Sequence, residues 1–123
     1  GCLKEIELAN VGSGEVNFYL ENGIDELQER YDTLLAKTVR LADEAWAGSA
    51  GLLETLQTRA AAAELCLDAA QSAALHSGAK GYLMKSPVQR RVREAMFVAI
   101  VTPALKHLRK EISDLEFGGE YSI

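Results

Sequence analysis

Proline is nearly missing from this chain, with two residues in 123. Long proline-rich linkers are therefore excluded. Cysteine is equally scarce: Cys2 and Cys66 are the whole complement. Two thiols make no disulfide framework, and they fit a protein of the reducing cytoplasm. Cys66 lies among Leu65, Leu67 and alanines, where a small buried thiol is expected. Histidine occurs only at His76 and His107. Carboxylate-bridged metal bundles need Glu-x-x-His pairs, and here the residues three before each histidine are Ala73 and Ala104. No metal site is expected, and both histidines read as surface or capping residues. No run approaches the roughly 18 apolar residues that span a bilayer, so no membrane association is expected. Basic residues are outnumbered 13 to 18, for a net charge of −5. Such a domain repels phosphate backbones, which excludes nucleic acid as a default partner.

What remains is ordinary globular composition, 48% hydrophobic and 25% charged, in a length suited to one domain. Residues 1–23 read differently from the rest. Ile6 and Leu8 alternate with Glu5 and Glu7, and Val16, Phe18 and Leu20 alternate beyond Gly12-Ser13-Gly14. Period-two alternation on either side of a glycine-rich turn predicts a short β-hairpin or arm. Such a hairpin is marginal alone and must lean on other elements.

From Ile24 the period becomes helical. Ile24, Leu27, Tyr31, Leu34, Leu35, Thr38, Leu41, Ala42 and Ala45 share a face, Asn22 or Asp25 serves as N-cap, and Gly48-Ser49 ends the run. Tyr31 and Trp46 belong on or beside this face, in a core or an interface. A second, alanine-rich helix runs from about Ala50 to Ser77 and stops at Gly78, the expected left-handed C-cap. Ser86-Pro87 opens a third helix, serine as cap and proline at the first helical position. Thr102-Pro103 repeats that pattern and opens a fourth, ending near Ser113; a single kinked helix is the alternative. The sequence thus predicts an all-α, up-and-down bundle of about four helices over residues 24–115, with a flexible tail at 116–123.

No nucleophile–histidine–carboxylate pattern is present. Gly78-Ala79-Lys80-Gly81 follows a helix rather than a strand, and it does not match a phosphate loop. The arginine cluster Arg90, Arg91, Arg93 has more content. Arg90 and Glu94 form an i,i+4 pair. Cations near a helix N-terminus oppose the helix dipole, so they read either as a solvated stripe or as partners for anions from elsewhere.

Two segments together carry a family resemblance. Gly78-Ala79-Lys80-Gly81-Tyr82, followed by Pro87-Val88-Gln89-Arg90-Arg91-Val92-Arg93-Glu94-Ala95, resembles the carboxy-terminal helical domain of acyl-CoA dehydrogenases, with its Q-x-x-G-G-x-G-Y and P-x-x-R-x-x-R-D-A motifs. Gly78, Gly81, Tyr82, Pro87, Arg90, Arg93 and Ala95 match, and Glu94 replaces aspartate. The resemblance spans roughly Ile24 to Ser113. It implies flavin adenine dinucleotide (FAD) as the family cofactor, with Arg90, Arg93, Gly78 and Gly81 as its candidate contacts here. It also implies assembly into dimers or tetramers. The departures are informative. The family's flavin-contacting glutamine falls at Leu75, its second glycine at Ala79, and its catalytic glutamate at Thr102, whose hydroxyl is far too weak a base. The expectation is a stand-alone, non-catalytic bundle that binds no cofactor alone and acts as a homo-oligomer or as the partner subunit of a flavoprotein. Half of a split FAD-dependent oxidoreductase and an unrelated helical interaction module are the alternatives.

Overall fold

A computed structural model describes residues 1–83, 85–101 and 103–117. Among them there are five helices and no strand: α1 Cys2–Asn17, α2 Ile24–Trp46, α3 Leu52–Ser77, α4 Pro87–Ile100 and α5 Leu105–Phe117. A 3₁₀ turn, Gly78–Tyr82, links α3 to α4. The fold is all-α as expected, with one helix more than the sequence predicts.

The additional helix replaces the expected hairpin. Residues 1–23 do not pair as strands; coiled as a helix, the segment sets Cys2, Leu3 and Ile6 on one side, whereas alternation would put Leu3 and Ile6 on opposite faces. Ile6 is fully buried among Leu27, Leu65, Ala73 and Val88, and Cys2 and Leu3, one turn earlier, pack on the same cluster. The glycine pair that read as a turn lies inside the helix. It produces a kink, with Ser13 off helical geometry at φ −132°, ψ 23°. Asn17 secures the far end. Its side-chain amide donates to the His76 carbonyl at 3.1 Å and to Asn10 Oδ1 at 3.0 Å. The carbonyls of a helix's last turn lack intrahelical donors, so Asn17 satisfies one at the end of α3.

α3 is the hub. Its small buried residues Ala60, Ala63, Ala70 and Ala73 let neighbouring helices approach closely. α1, α2, α4 and α5 all pack against it, whereas α2 touches neither α4 nor α5 among the described residues. α2 and α3 form an antiparallel hairpin. The ion pairs Arg30–Asp68, at 2.9 Å, and Arg40–Glu54 fix its register. Helix α2 buries Leu27 and Leu41 but leaves Tyr31, Leu35 and Ala42 exposed, so only half of its predicted apolar face meets the core.

Several local expectations change. The N-cap of α2 is Gly23, without a side-chain cap, rather than Asn22 or Asp25; Asn22 instead takes a positive φ of 53° in the connection. Gly78 ends α3 at φ 66°, ψ −146°, a positive-φ conformation that glycine adopts without strain, though not the expected αL well. Ser86 does cap α4, accepting from the Val88 amide at 3.2 Å, with Pro87 at the first helical position. α4 and α5 are separate helices; the chain leaves α4 at Val101, and the Ala104 carbonyl starts α5 by accepting from the His107 and Leu108 amides. Helix α5 continues through Glu116 and Phe117, so the tail does not begin at 116; residues 118–123 lie outside the described residues.

Candidate functional site

The residues singled out around the glycine loop and the arginine cluster come together at the junction of α3 and α4. Gly81 is buried, and its role is close packing. A Cβ there would meet Ser77 Cβ at 3.0 Å and the Ala74 carbonyl oxygen at 3.2 Å. Gln89 ties α4 to this turn by donating to the Gly81 carbonyl at 2.9 Å. Ala79 and Lys80 are exposed on the same turn, as is Leu75 at the end of α3.

The arginines divide. Arg90 Nε donates to Glu94 Oε1 at 2.7 Å, and Arg91 reaches Glu94 Oε2 at 3.4 Å. The hydrogen bond from Arg90, aided by both cations, holds the Glu94 carboxyl below its ordinary range. Arg93 makes no ion pair among the described residues and is exposed. As a phosphate cradle this set does not fit. Arg90 is committed to a carboxylate, Gly81 is shut against α3, and Leu75 offers an aliphatic side chain with no donor. Of the three clustered arginines, Arg93 alone makes no ion pair among the described residues. Thr102, the position of the family's base, lies outside the described residues.

The sequence gives no sign of a groove over α3, about 550 Å³ in volume, between α2 and α4. Its walls are mainly apolar, with Leu27, Tyr31, Leu65 and Val98, and both thiols open onto it. Cys66 is exposed there, not buried, because it points into the gap that α2 and α4 leave uncovered. Burial pushes the Cys2 thiol up; the N-terminal ammonium and Arg91 pull it back less strongly. Arg91 Nε is buried without a hydrogen-bond partner, packed against Gly1. Leu52, Thr55, Arg59, Ala62 and Cys66 recur at helical spacing, and all five are exposed.

The histidines part company. His76 is 5% exposed, neither surface nor cap, with its ring Nδ1 beside Ser72 Oγ at 3.2 Å and the Ser72 carbonyl at 2.8 Å. His107 is exposed on α5. Among the described residues no group of three or more His, Cys, Asp and Glu side chains is placed to hold a metal ion, and no helix is long and apolar enough to cross a membrane.

No curated protein and no solved structure matches the chain. A family model does: "Acyl-CoA dehydrogenase, C-terminal domain" matches residues 21–102, from just before α2 through α4. The match takes in more than half of the 123 residues, including the glycine turn and the arginine helix. The chain belongs to the acyl-CoA dehydrogenase C-terminal domain family.

Proposed function

We propose that this chain is a non-catalytic helical subunit of the acyl-CoA dehydrogenase type, which works by assembling with itself or with a partner chain. The observation that carries this reading is the amount of apolar surface left open on a bundle with a closed core. Trp46 is 95% exposed, Phe97 64% and Ile100 67%, and Tyr31, Leu35, Val39 and Met96 are each about half exposed. Contiguous apolar patches on soluble proteins mark interaction sites. Helices of this family that pack against other domains or subunits need such surfaces. The substitutions at Leu75, Ala79 and Thr102 support the non-catalytic half of the reading, because each replaces the group that the resemblance assigns to cofactor or chemistry.

Light scattering coupled to size-exclusion chromatography tests the assembly, with a dimer or tetramer expected. Visible absorbance, before and after addition of FAD, tests the chemistry. Colourless protein that binds no added flavin is expected. A tightly held flavin in the isolated chain overturns the non-catalytic reading, and a strict monomer at high concentration overturns assembly of the chain with itself. Arg93 favours the second reading, half of a split flavin enzyme, because it is a cation free to meet a phosphate. Flavin retained only when a partner chain is present selects that alternative.

A further inference from the structure

We infer that Cys2 and Cys66 form a reversible disulfide, a redox latch that pins the start of α1 to the middle of α3. The register of the two helices brings the thiols to one place. Ile6 packs with Leu65 and Ala73, and Asn17, further along α1, bonds to the carbonyl of His76, further along α3. The two helices therefore run in the same direction. Cys2 stands one turn before Ile6, which sets it level with the turn of α3 from Leu65 to Ala69. Cys2, Leu65, Cys66 and Ala69 all line the groove over α3, so both sulfurs face the same space. The first turn of α1 has Gly1 as its N-cap, with no side-chain cap, and is the part of that helix least held by its own hydrogen bonds. It can shift toward α3 as the geometry of a disulfide requires.

The two thiols take different parts. Cys66 is exposed and Cys2 partly buried. Burial is the main cause that raises the Cys2 thiol, and a charge on Cys66 raises it further, as expected of sulfurs within electrostatic reach of each other. Cys66 therefore meets an oxidant first and Cys2 resolves the product. The oxidant is a small-molecule disulfide of the glutathione type. The Cys66 thiolate attacks one of its sulfurs, a mixed disulfide forms at Cys66, and one glutathione leaves as thiolate. The Cys2 thiolate then attacks the Cys66 sulfur, the mixed disulfide breaks, and the second glutathione leaves. Arg91, on the same groove wall, favours the Cys2 thiolate in this step. Two protein thiols are oxidised to one disulfide, one small disulfide is reduced to two thiols, and the two cysteine protons end on those thiols. Asn17 ties the far end of α1 to α3 in either state. The disulfide adds a tie at the near end, and it takes the reactive Cys66 thiol out of the groove.

Equilibration of the full chain with a glutathione redox buffer at low protein concentration tests this, read by intact mass and by denaturing, non-reducing electrophoresis. The expected product migrates as a single chain, is lighter by two hydrogen atoms and carries no glutathione; excess dithiothreitol returns it to the starting mass. Cys2→Ser should stop with one glutathione on Cys66, because nothing resolves it, and Cys66→Ser should take up glutathione more slowly. Circular dichroism confirms that both variants are folded. The oxidised wild type should unfold at a higher urea concentration than the reduced chain, and neither variant should show that rise. A bond that stabilises the fold is favoured by the fold to the same extent, so the ratio of disulfide to dithiol should fall at least about tenfold when the same buffer contains unfolding urea. A wild type that ends with glutathione on both cysteines, one that yields only disulfide-linked dimers, or a disulfide that forms as readily in urea as in buffer overturns the proposal.

Discussion

Replacing Ile6 by alanine tests whether the amino-terminal segment is a helix docked on the core or an arm lying against it. Ile6 is 0% exposed, and it touches a cluster supplied by α2, α3 and α4. The substitution removes three buried carbons. At ~0.8 kcal/mol for each, the transfer loss is about 2.4 kcal/mol, and a cavity left among Leu27, Leu65 and Val88 raises the cost to about 3 kcal/mol. For a domain of this size that is a large part of a total of about 5–15 kcal/mol. It corresponds to a fall in melting temperature of roughly 9–18 °C. The assay is urea denaturation followed by circular dichroism at a helical wavelength, since Trp46 is too exposed to report on packing by fluorescence. Val11→Ala, on the same helix but 86% exposed, is the control and should change stability by less than about 0.5 kcal/mol. A cost below about 1 kcal/mol for Ile6→Ala, with an unchanged denaturant slope, refutes the reasoning. The segment would then contribute no core residue, and the period-two reading of residues 1–23 would return.

Other outcomes follow from single contacts. Ser86→Ala removes the side-chain cap of α4 and should destabilise by about 1 kcal/mol, read from the same denaturation curves. Gly81→Ala places a methyl against Ser77 and the Ala74 carbonyl and should cost about 1–3 kcal/mol, with Gly12→Ala, which meets nothing, as the comparison. Glu94 should titrate below an ordinary glutamate in a carbon-detected NMR series. Its folded-state pKa is depressed, so any stability it contributes is present above the unfolded value and lost as pH falls through the folded one; Arg90→Ala should move the midpoint up. Cys2 should react with iodoacetamide more slowly than Cys66 near pH 8, because desolvation disfavours its thiolate, and equal rates would count against its placement.

The parts of the fold legible in the sequence were those where apolar spacing and capping agree. Helix α4 was readable from Ser86-Pro87 and from the face Val88, Val92, Ala95, Met96, Ala99 and Ile100, of which Val88, Ala95 and Ala99 are buried and Met96 and Ile100 are exposed. The long α3 was readable from its alanines and from Gly78. The amino-terminal helix was not, because its inward positions include polar residues. Asn10 and Asn17 stand where a core stripe would carry aliphatic side chains, and their amides bond to each other and to the end of α3. With those positions read as polar, the alternation of Glu5, Ile6, Glu7 and Leu8 and the glycine pair dominated. The same limit applied to Cys66 and His76. A one-dimensional pattern places a residue on a helix but does not say which sides of that helix its neighbours cover. At the candidate site, the resemblance picked out the Gly81 turn and the Arg90–Glu94 pair, and the structure gives both a packing or pairing role within the bundle. The groove over α3 depends on the absence of contact between α2 and α4, which spacing along the chain does not encode.

The arrangement of every helix around α3 has a consequence for how the molecule opens. Helix α5, which packs mainly on α3, can swing away while the other helices stay seated. Amide protons of α5 should therefore exchange with solvent through excursions of that one helix. Those in the middle of α3 should exchange only when the whole molecule comes apart, so a single chain should display a graded ladder of protection with its slowest rung at Ala63 to Ala73.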